Sequence, residues 1–302
     1  MPNSKQTAKT HCGYIAIIGR PNVGKSTLLN RILGQKISIT SHKPQTTRHQ
    51  ILGIKTEGER QTVFVDTPGL HKAGKHELNK YMNRVALQAL NDVDVVAWMV
   101  EGLKWKEEDD WIYNRLKSLN KPIVLIVNKV DRVEPKTALL PHLQALAQKM
   151  EFAAIIPISA QNGSNVEELE ATLAKLLPEN PHFFPDDQVT DRTDRFLASE
   201  IIREKLMRNL HQEIPYALTV EIEEFKEKES ILHIHAVIWL EKENQKAIVI
   251  GEGGQTLKRV GKAARIDMEK IFEKKIFLQL WAKVKENWSD DAKALQSLGY
   301  NE

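Results

Sequence analysis

A glycine-rich octapeptide constrains this chain more than any other feature. It reads Gly-Arg-Pro-Asn-Val-Gly-Lys-Ser at residues 19–26, after the apolar run Tyr14–Ile18 and before the helical pattern of residues 27–33. Strand, glycine-rich turn and helix start form the context of a phosphate-binding P-loop. The glycines let backbone N–H groups face phosphate oxygens, and the helix adds its positive end. We predict that Lys25 contacts the β- and γ-phosphates and that Ser26 ligates Mg²⁺. The predicted phosphate-binding residues are Gly19, Arg20, Pro21, Asn22, Val23, Gly24, Lys25, Ser26 and Thr27.

Apolar segments that alternate with amphipathic ones predict a doubly wound α/β sheet around the P-loop, over residues 13–177. Ligand chemistry in such sheets lies at the carboxyl ends of the strands. The predicted strands are Tyr14–Ile18, Ile37–Ile39, Ile51–Lys55, Thr62–Val65, Val93–Val100, Ile123–Val127 and Ile155–Ile158. The predicted helices include Asp110–Leu119 and Val166–Leu177.

The strand over residues 62–65 ends in Asp-Thr-Pro-Gly-Leu. An acid at this place in a P-loop protein holds Mg²⁺, and a following glycine N–H can meet the γ-phosphate. A plain Pro-Gly turn is the alternative. The predicted residues of this loop are Asp66, Thr67, Pro68, Gly69 and Leu70.

The strand over residues 123–127 ends in Asn-Lys-Val-Asp, which predicts the choice of base. The Asp131 carboxylate can accept hydrogen bonds from N1–H and the 2-amino group of guanine, whereas adenine lacks both donors. Asn128 can tie this loop to others, the Lys129 stem can lie over the base, and a backbone N–H of Ser159-Ala160 can reach guanine O6. These signals favour GTP and GDP over ATP. The predicted base-binding residues are Asn128, Lys129, Val130, Asp131, Ser159 and Ala160.

Two polar segments are predicted to respond to the nucleotide. Residues 40–50 carry two threonines at 46 and 47, and one of them can ligate Mg²⁺ when a γ-phosphate is present. Thr47 is favoured over Thr46, and the sequence leaves both open. Residues 71–75 form the second predicted mobile segment.

These motifs resemble the translation-factor-related class of GTPases. Ras-like members carry a water-orienting glutamine where this chain has Leu70, which cannot orient water. The resemblance implies that Asn22 helps to bind K⁺ in the place of an arginine finger. We therefore expect slow intrinsic GTP hydrolysis that is faster in K⁺ than in Na⁺. An asparagine that is only a turn residue is the alternative.

A proline-rich linker is predicted at residues 178–192, and a second domain at 193–302. This domain is predicted to be α+β, with a mainly antiparallel sheet. The predicted elements are a helix over Asp194–Leu210, strands over Ala217–Glu224, Ile231–Leu240 and Lys275–Val284, a helix over 255–273 and a C-terminal helix within Trp288–Tyr300.

The Gly-Glu-Gly-Gly sequence at residues 251–254 fits the GXXG loop of a KH domain, which clamps about four nucleotides. Strand propensity favours a strand over Ala247–Ile250, whereas the KH resemblance implies a short helix. Ten basic residues against four acidic ones give residues 244–285 an excess of six positive charges, while the whole chain has only +3. A glutamate at position 252 departs from loops that carry a basic residue there. The predicted RNA-binding residues are Ile250, Gly251, Glu252, Gly253, Gly254, Lys258, Arg259, Lys262 and Arg265.

A GTPase domain followed by a KH domain is similar to the Era family of bacterial GTPases. That resemblance implies single-stranded RNA at the 3′ end of the small-subunit rRNA as partner, and a role in small-subunit assembly and rRNA processing. A regulatory GTPase whose basic domain docks on protein or on anionic membrane surface is the alternative. A metabolic NTPase is a third reading, which no nucleophile or metal cluster in the sequence favours.

Composition limits where the chain acts. One cysteine excludes a disulfide framework and favours a reducing cytoplasm. No apolar run reaches the ~20 residues of a membrane span, and residues 1–12 are predicted to be disordered, without a signal peptide. Peripheral contact with the inner face of the cell membrane stays open. We expect a monomer.

Overall fold

The computed structural model describes residues 9–70, 76–210 and 214–300. Within them the chain divides into two compact units. The first contains residues 9–35, 50–70 and 83–191, and the second contains residues 36–49, 76–82 and 192–300 apart from 211–213. The predicted second mobile segment, residues 71–75, lies outside the described residues.

The first unit is built on a six-stranded sheet with the strand order β2-β3-β1-β4-β5-β6. Among these strands only β2 runs antiparallel to its neighbour in the described residues. The strands are β1 (His11–Ile18), β2 (Ile51–Glu57), β3 (Arg60–Asp66), β4 (Val95–Glu101), β5 (Ile123–Asn128) and β6 (Ala154–Pro157). The helices are α1 (Lys25–Leu33), α2 (Glu77–Gln88, which begins in the second unit), α3 (Glu107–Leu116), α4 (Leu139–Ala147) and α5 (Val166–Ala174).

Burial explains why the sequence predicts this sheet. Strands β4 and β5 are covered on both faces, and all their apolar residues are buried. Continuous apolar runs are typical of such central parallel strands. The resulting order brings the carboxyl ends of β1, β3, β4 and β5 to one edge of the sheet.

Three details of the first unit differ from the prediction. β1 begins at His11, so two residues of the predicted disordered N-terminus belong to the sheet. The predicted linker packs against the first unit, where Glu179 bridges to His11 and Thr190 bridges to Gly53. The predicted strand Ile37–Ile39 is wrong, because these residues form no strand and their isoleucines are instead buried in a loop of the second unit.

The second unit combines a small sheet with helices. Its described elements are α6 (Asp194–Asn209), β7 (Leu218–Lys228), β8 (Ile231–Leu240), α7 (Glu243–Ile250), α8 (Gln255–Phe272), β9 (Lys275–Val284) and α9 (Ala292–Ser297). The sheet order is β7-β8-β9. One core cluster joins inward residues of the sheet to Ile202, Val260 and Met268 on the helices.

The second sheet is mixed, whereas the sequence predicted a mainly antiparallel one. β7 and β8 are antiparallel, but β9 runs parallel to β8. The reason is the pair α7 and α8 between β8 and β9, since a parallel pair requires a crossover connection.

Residues 247–250 are helical, as the KH resemblance implied and strand propensity did not. The Gln245 side chain accepts hydrogen bonds from the backbone N–H groups of Glu241 and Lys242 and caps the start of α7. The C-terminal helix lies within the predicted stretch, Trp288–Tyr300. It begins after Asp291, whose carboxylate caps it, and ends before Gly299 at φ 86°.

No helix of the described ranges is long and apolar enough to cross a membrane.

Candidate nucleotide and RNA sites

The P-loop lies between β1 and α1 and needs its glycines for space as well as for backbone conformation. Gly19 has φ 150° and Gly24 has φ 108°. A Cβ at Gly24 would lie 2.3 Å from Asn128 Nδ2, and a Cβ at Gly19 would lie 2.5 Å from the Met99 carbonyl oxygen. The loop therefore tolerates no side chain at either position. Asn22 also has a positive φ, 63°, which suits an asparagine in a tight turn.

Lys25 and Ser26 make hydrogen bonds to the loop backbone and to Asp66. The ammonium of Lys25 is buried and donates to the carbonyl oxygens of Gly19 and Arg20 at 3.1 and 3.2 Å. Burial lowers the Lys25 pKa to about 8, although the nearby Asp66 charge opposes that change. Ser26 Oγ donates to Asp66 Oδ2 at 2.8 Å.

This arrangement fits a nucleotide with Mg²⁺. The Ser26 hydroxyl and the Asp66 carboxylate are hard oxygen ligands placed together at the start of α1. The curled loop backbone that the two glycines permit forms the cradle for a phosphate. A buried ammonium beside that cradle gains a partner when a phosphate enters it.

Asn128 joins the base-recognition loop to the P-loop. Its Nδ2 donates to the Val23 carbonyl oxygen at 2.7 Å, and its Oδ1 accepts from the Ala160 N–H at 2.9 Å. The sequence predicted that this side chain ties loops together. It did not predict that Asn128 would engage the Ala160 amide, so guanine O6 would have to share this donor.

Lys129 reaches back to the P-loop. It has φ 65°, and its Nζ donates to the Asn22 carbonyl oxygen at 2.6 Å. Asp131 lies on the 3₁₀ turn that follows, and about a quarter of its side chain is exposed. The loop thus presents a carboxylate next to a lysine stem, as guanine recognition requires.

Leu70 belongs to the core. Its side chain is fully buried in the apolar cluster of the first sheet, and its N–H donates to the Gly19 carbonyl oxygen at 3.1 Å. A Cβ at the preceding Gly69 would lie 2.8 Å from Pro21 Cα, so the acid loop packs directly on the P-loop. The leucine is fixed away from solvent, and its isobutyl group has no hydrogen-bonding atom with which to orient a water molecule.

A buried ionic network under the P-loop was missed by sequence reasoning. Arg20 donates through Nη2 to Glu101 Oε2 and through Nε to Asp109 Oδ2, both at 3.2 Å. Glu101 Oε2 also lies 3.3 Å from Lys129 Nζ. Burial would raise the Glu101 pKa, but Lys104, Lys129 and Arg20 outweigh it and lower the pKa to about 2. The available signal was a charged residue at the end of the otherwise apolar strand β4.

The loop of residues 36–49 is anchored within the second unit. Arg48 is fully buried and donates to the carbonyl oxygens of Leu218, Tyr216 and Pro215 at 2.7, 2.9 and 3.3 Å. It also donates to the Tyr300 hydroxyl at 3.3 Å. The sequence assigned this segment to the nucleotide and gave Arg48 no role.

Helix α6 holds the same loop through three more groups. The buried Glu204 carboxylate accepts from the Thr40 N–H at 3.0 Å and from Lys36 Nζ at 2.5 Å. Lys43 Nζ donates to carbonyl oxygens at the C-terminal end of α6. Arg203 donates to the Thr46 carbonyl oxygen.

The two candidate threonines differ. Thr46 Oγ1 donates to the Lys43 carbonyl oxygen at 2.7 Å, within its own loop. The Thr47 side chain is buried.

The GXXG segment connects α7 to α8 through residues at positive φ. Gly251, Gly253 and Gly254 have φ 72°, 55° and 76°. A Cβ at Gly251 would lie 2.4 Å from Thr256 Oγ1, so that glycine is required. Glu252 and Gly253 are exposed.

The basic residues of α8 that were predicted to contact phosphates all lie on the solvent side of the helix. The four exposed residues are Lys258, Arg259, Lys262 and Arg265. Next to them on α7, Ile248 is 52% exposed whereas Val249 is buried, so Ile248 is available to a base and Val249 belongs to the core. The predicted Ile250 is partly exposed.

The fold defines a P-loop GTPase joined to a KH domain. Residues 14–129 match the model of the 50S ribosome-binding GTPase family, and residues 213–289 match that of the KH domain. GTPase Era of Pseudomonas aeruginosa (strain LESB58) is 58% identical over 295 residues, which cover 98% of this chain and 97% of that protein. GTPase Era of Pseudomonas entomophila (strain L48) is 57% identical over 297 residues, covering 98% and 99%. The chain therefore belongs to the Era family, and it is a GTPase.

Two solved structures are similar over nearly the whole chain. One is Era in complex with MgGDPNP and nucleotides 1506–1542 of 16S ribosomal RNA, and the other is a variant of Aquifex aeolicus Era bound to GDP and AlF4⁻. Each has a TM-score of 0.94 and 40% identity, and covers 97% of this chain and 100% of the other.

Proposed function

We propose that this chain is a GTP-driven switch that binds single-stranded rRNA at the 3′ end of 16S rRNA and acts in small-subunit assembly and rRNA processing. The observation that carries the proposal is the anchoring of residues 36–49, the loop expected to sense the γ-phosphate, within the unit that contains the KH domain. A loop that senses the γ-phosphate and is also anchored within the unit that contains the KH domain lets the nucleotide control RNA affinity. The similarity to an Era bound to MgGDPNP and a 16S rRNA segment supports the same partners.

In the proposed GTPase site, Lys25 holds the phosphates and Asp131 selects guanine. The ligands of Mg²⁺ are Ser26, Asp66 and Thr47, and the ion would neutralise charge on the phosphates. Thr47 is preferred because the Thr46 hydroxyl is engaged within its own loop. We assign the GTPase domain to residues 13–177 and the KH domain to residues 193–302, joined by 178–192.

The catalytic group is assigned to Asn22 acting with K⁺. Leu70 is buried, so hydrolysis depends on positioning of the phosphates and on positive charge near them. The test compares GTP turnover in KCl and in NaCl at equal ionic strength. Faster turnover in KCl that is lost in Asn22→Ala is expected; equal turnover in the two salts contradicts the assignment.

On the RNA side, the GXXG glycines admit the RNA backbone and the solvent-facing cations of α8 contact phosphates. Glu252 repels phosphate, so the helix contributes more than the loop. The double variant Lys258→Gln/Arg259→Gln removes two cations without touching the core, since neither side chain is buried.

The experiment measures the dissociation constant of a single-stranded RNA with the 16S 3′-end sequence in the GDPNP and GDP forms. We expect at least roughly fivefold tighter binding with GDPNP, a fall in affinity with rising salt, and loss of binding in the double variant. Equal affinity in both nucleotide states rejects the switch. Strong binding to anionic vesicles without RNA binding favours the docking alternative.

We further propose a cytoplasmic monomer, with peripheral membrane contact as a secondary proposal. The single cysteine is buried and free, which suits a reducing compartment.

A further inference from the structure

The outward face of β9 carries an alternation that the KH site does not use. Ile276, Leu278 and Leu280 point into the core cluster of the second unit. The residues between them therefore face the opposite side of the sheet. They form what we call the aromatic stripe: Lys275, Phe277, Gln279, Trp281 and Lys283.

The two aromatic rings of the stripe are open to solvent. Trp281 is 57% exposed and Phe277 is 44% exposed, although large aromatic side chains ordinarily bury most of their area. The Phe277 ring is supported from one side by His233, with ring centroids 5.0 Å apart. One ring is thus held in place while part of its surface is available for stacking.

Charge at the Phe277 end of the stripe is positive. The register places Lys226 and His233 in the same row as Phe277, and Lys275 lies two residues away on the same face. The nearby Glu224 carboxylate is balanced by an ion pair at 2.7 Å with a lysine of its own strand. This end of the stripe therefore complements a polyanion.

The Trp281 end is closer to neutral. Lys283 forms an ion pair with Glu223 at 3.0 Å, and its ammonium lies 5.7 Å from the centre of the Trp239 ring. This end therefore offers an exposed ring rather than free positive charge, which suits base stacking more than phosphate contact.

We propose that the aromatic stripe is a second binding surface for single-stranded RNA. This inference rests on the proposed RNA-binding function. Phe277 and Trp281 are four positions apart, or about 13 Å along the strand, which matches bases two nucleotides apart in an extended single strand. Bases stack on the two rings, the Gln279 amide between them bonds a base edge, and the cations at the Phe277 end meet phosphates. RNA longer than the roughly four nucleotides of the GXXG site continues onto this face.

The test uses the full chain loaded with GDPNP and two single-stranded RNAs with the 16S 3′-end sequence, of about 6 and about 20 nucleotides. We expect Trp281→Ala and Phe277→Ala each to weaken binding of the longer RNA about tenfold and to leave the shorter RNA within about twofold. Trp281→Phe retains a stacking ring and should restore most of the loss. Phe183→Ala is the matched control, because this ring is 42% exposed in the first unit.

A second readout locates the contact directly. Longer RNA that carries 4-thiouridine is crosslinked by ultraviolet light, and peptides are identified by mass spectrometry. Crosslinks within residues 275–283 are expected. The inference is overturned if crosslinks map only to α7 and α8 while both alanine variants bind the longer RNA normally. If those variants instead lose a protein partner with RNA affinity unchanged, the surface serves protein and the inference is again wrong. Absence of RNA binding in the wild-type chain would remove the proposed function itself.

Discussion

Arg48→Met is the sharpest test of how the loop of residues 36–49, which we propose to sense the nucleotide, is held. The guanidinium makes four hydrogen bonds, two of them at 2.7 and 2.9 Å, and is fully buried. Hydrogen bonds to a charged group contribute about 1.5–3 kcal/mol each. Counting only the two short ones, we expect the free energy of unfolding of the second unit to fall by about 4 kcal/mol.

The loss should be visible in thermal unfolding. At roughly 3 °C per kcal/mol for a unit of this size, the midpoint of the second unit should fall by about 12 °C. Arg48→Lys keeps a charge but lacks the planar fork, so we expect it to recover no more than about half of the loss.

Arg48→Met also tests the coupling between nucleotide state and RNA binding. In the wild type the ratio of RNA dissociation constants in the GDP and GDPNP forms is the coupling factor. In Arg48→Met, at a temperature where the protein stays folded, this ratio should approach one, while the GTP dissociation constant changes by less than about threefold. A midpoint lowered by less than about 2 °C, or an unchanged ratio, would refute the reasoning.

Three further outcomes are expected. Glu101→Gln removes the charge that joins Arg20 to Lys129, so GDP should dissociate about tenfold faster and the turnover number at saturating GTP should also fall. Lys104→Ala, which removes an exposed partner of Glu101, is the control and should behave as wild type. Asp131→Asn replaces an acceptor by a donor facing N1–H, so GTP affinity should fall at least about tenfold and discrimination against xanthosine triphosphate should weaken, as measured by competition. Burial lowers the His49 pKa to about 4, so below pH 6.5 the unfolded chain takes up a proton that the folded chain does not. The contribution of His49 to stability should therefore fall by about 3 kcal/mol from pH 7 to pH 4, and His49→Phe should remove this part of the pH dependence in urea unfolding.

The features that the sequence predicted correctly are those fixed by residues close together in the chain. β8 and β9 have the predicted bounds, because each is a continuous run of strand-forming residues between charged or polar segments. The P-loop conformation follows in the same way from its two glycines. In contrast, the strand predicted at residues 37–39 failed because apolar side chains alone do not say which neighbours bury them.

The groups that sequence reasoning missed share a physical property. Glu101, Arg48 and Glu204 each act through partners that are distant in sequence, and no periodicity or motif links them. The bond from Arg48 to Leu218 spans 170 residues. Such a pairing is fixed only once both segments have folded, and it is invisible to any window of sequence.

These missed groups explain how the GTPase site of this chain can differ from Ras-like sites. Leu70 is buried where those enzymes carry a glutamine, so the catalytic role proposed for Asn22 depends on the P-loop geometry around it. That geometry is set from below by Lys129, which holds the Asn22 carbonyl oxygen, and by Glu101, which holds both Lys129 and Arg20. Because Lys129, which we propose to contact the base, is part of this network, a guanine that orders Lys129 should also order the turn that carries Asn22. The proposed base recognition and the proposed catalytic turn are therefore linked through one partly buried carboxylate.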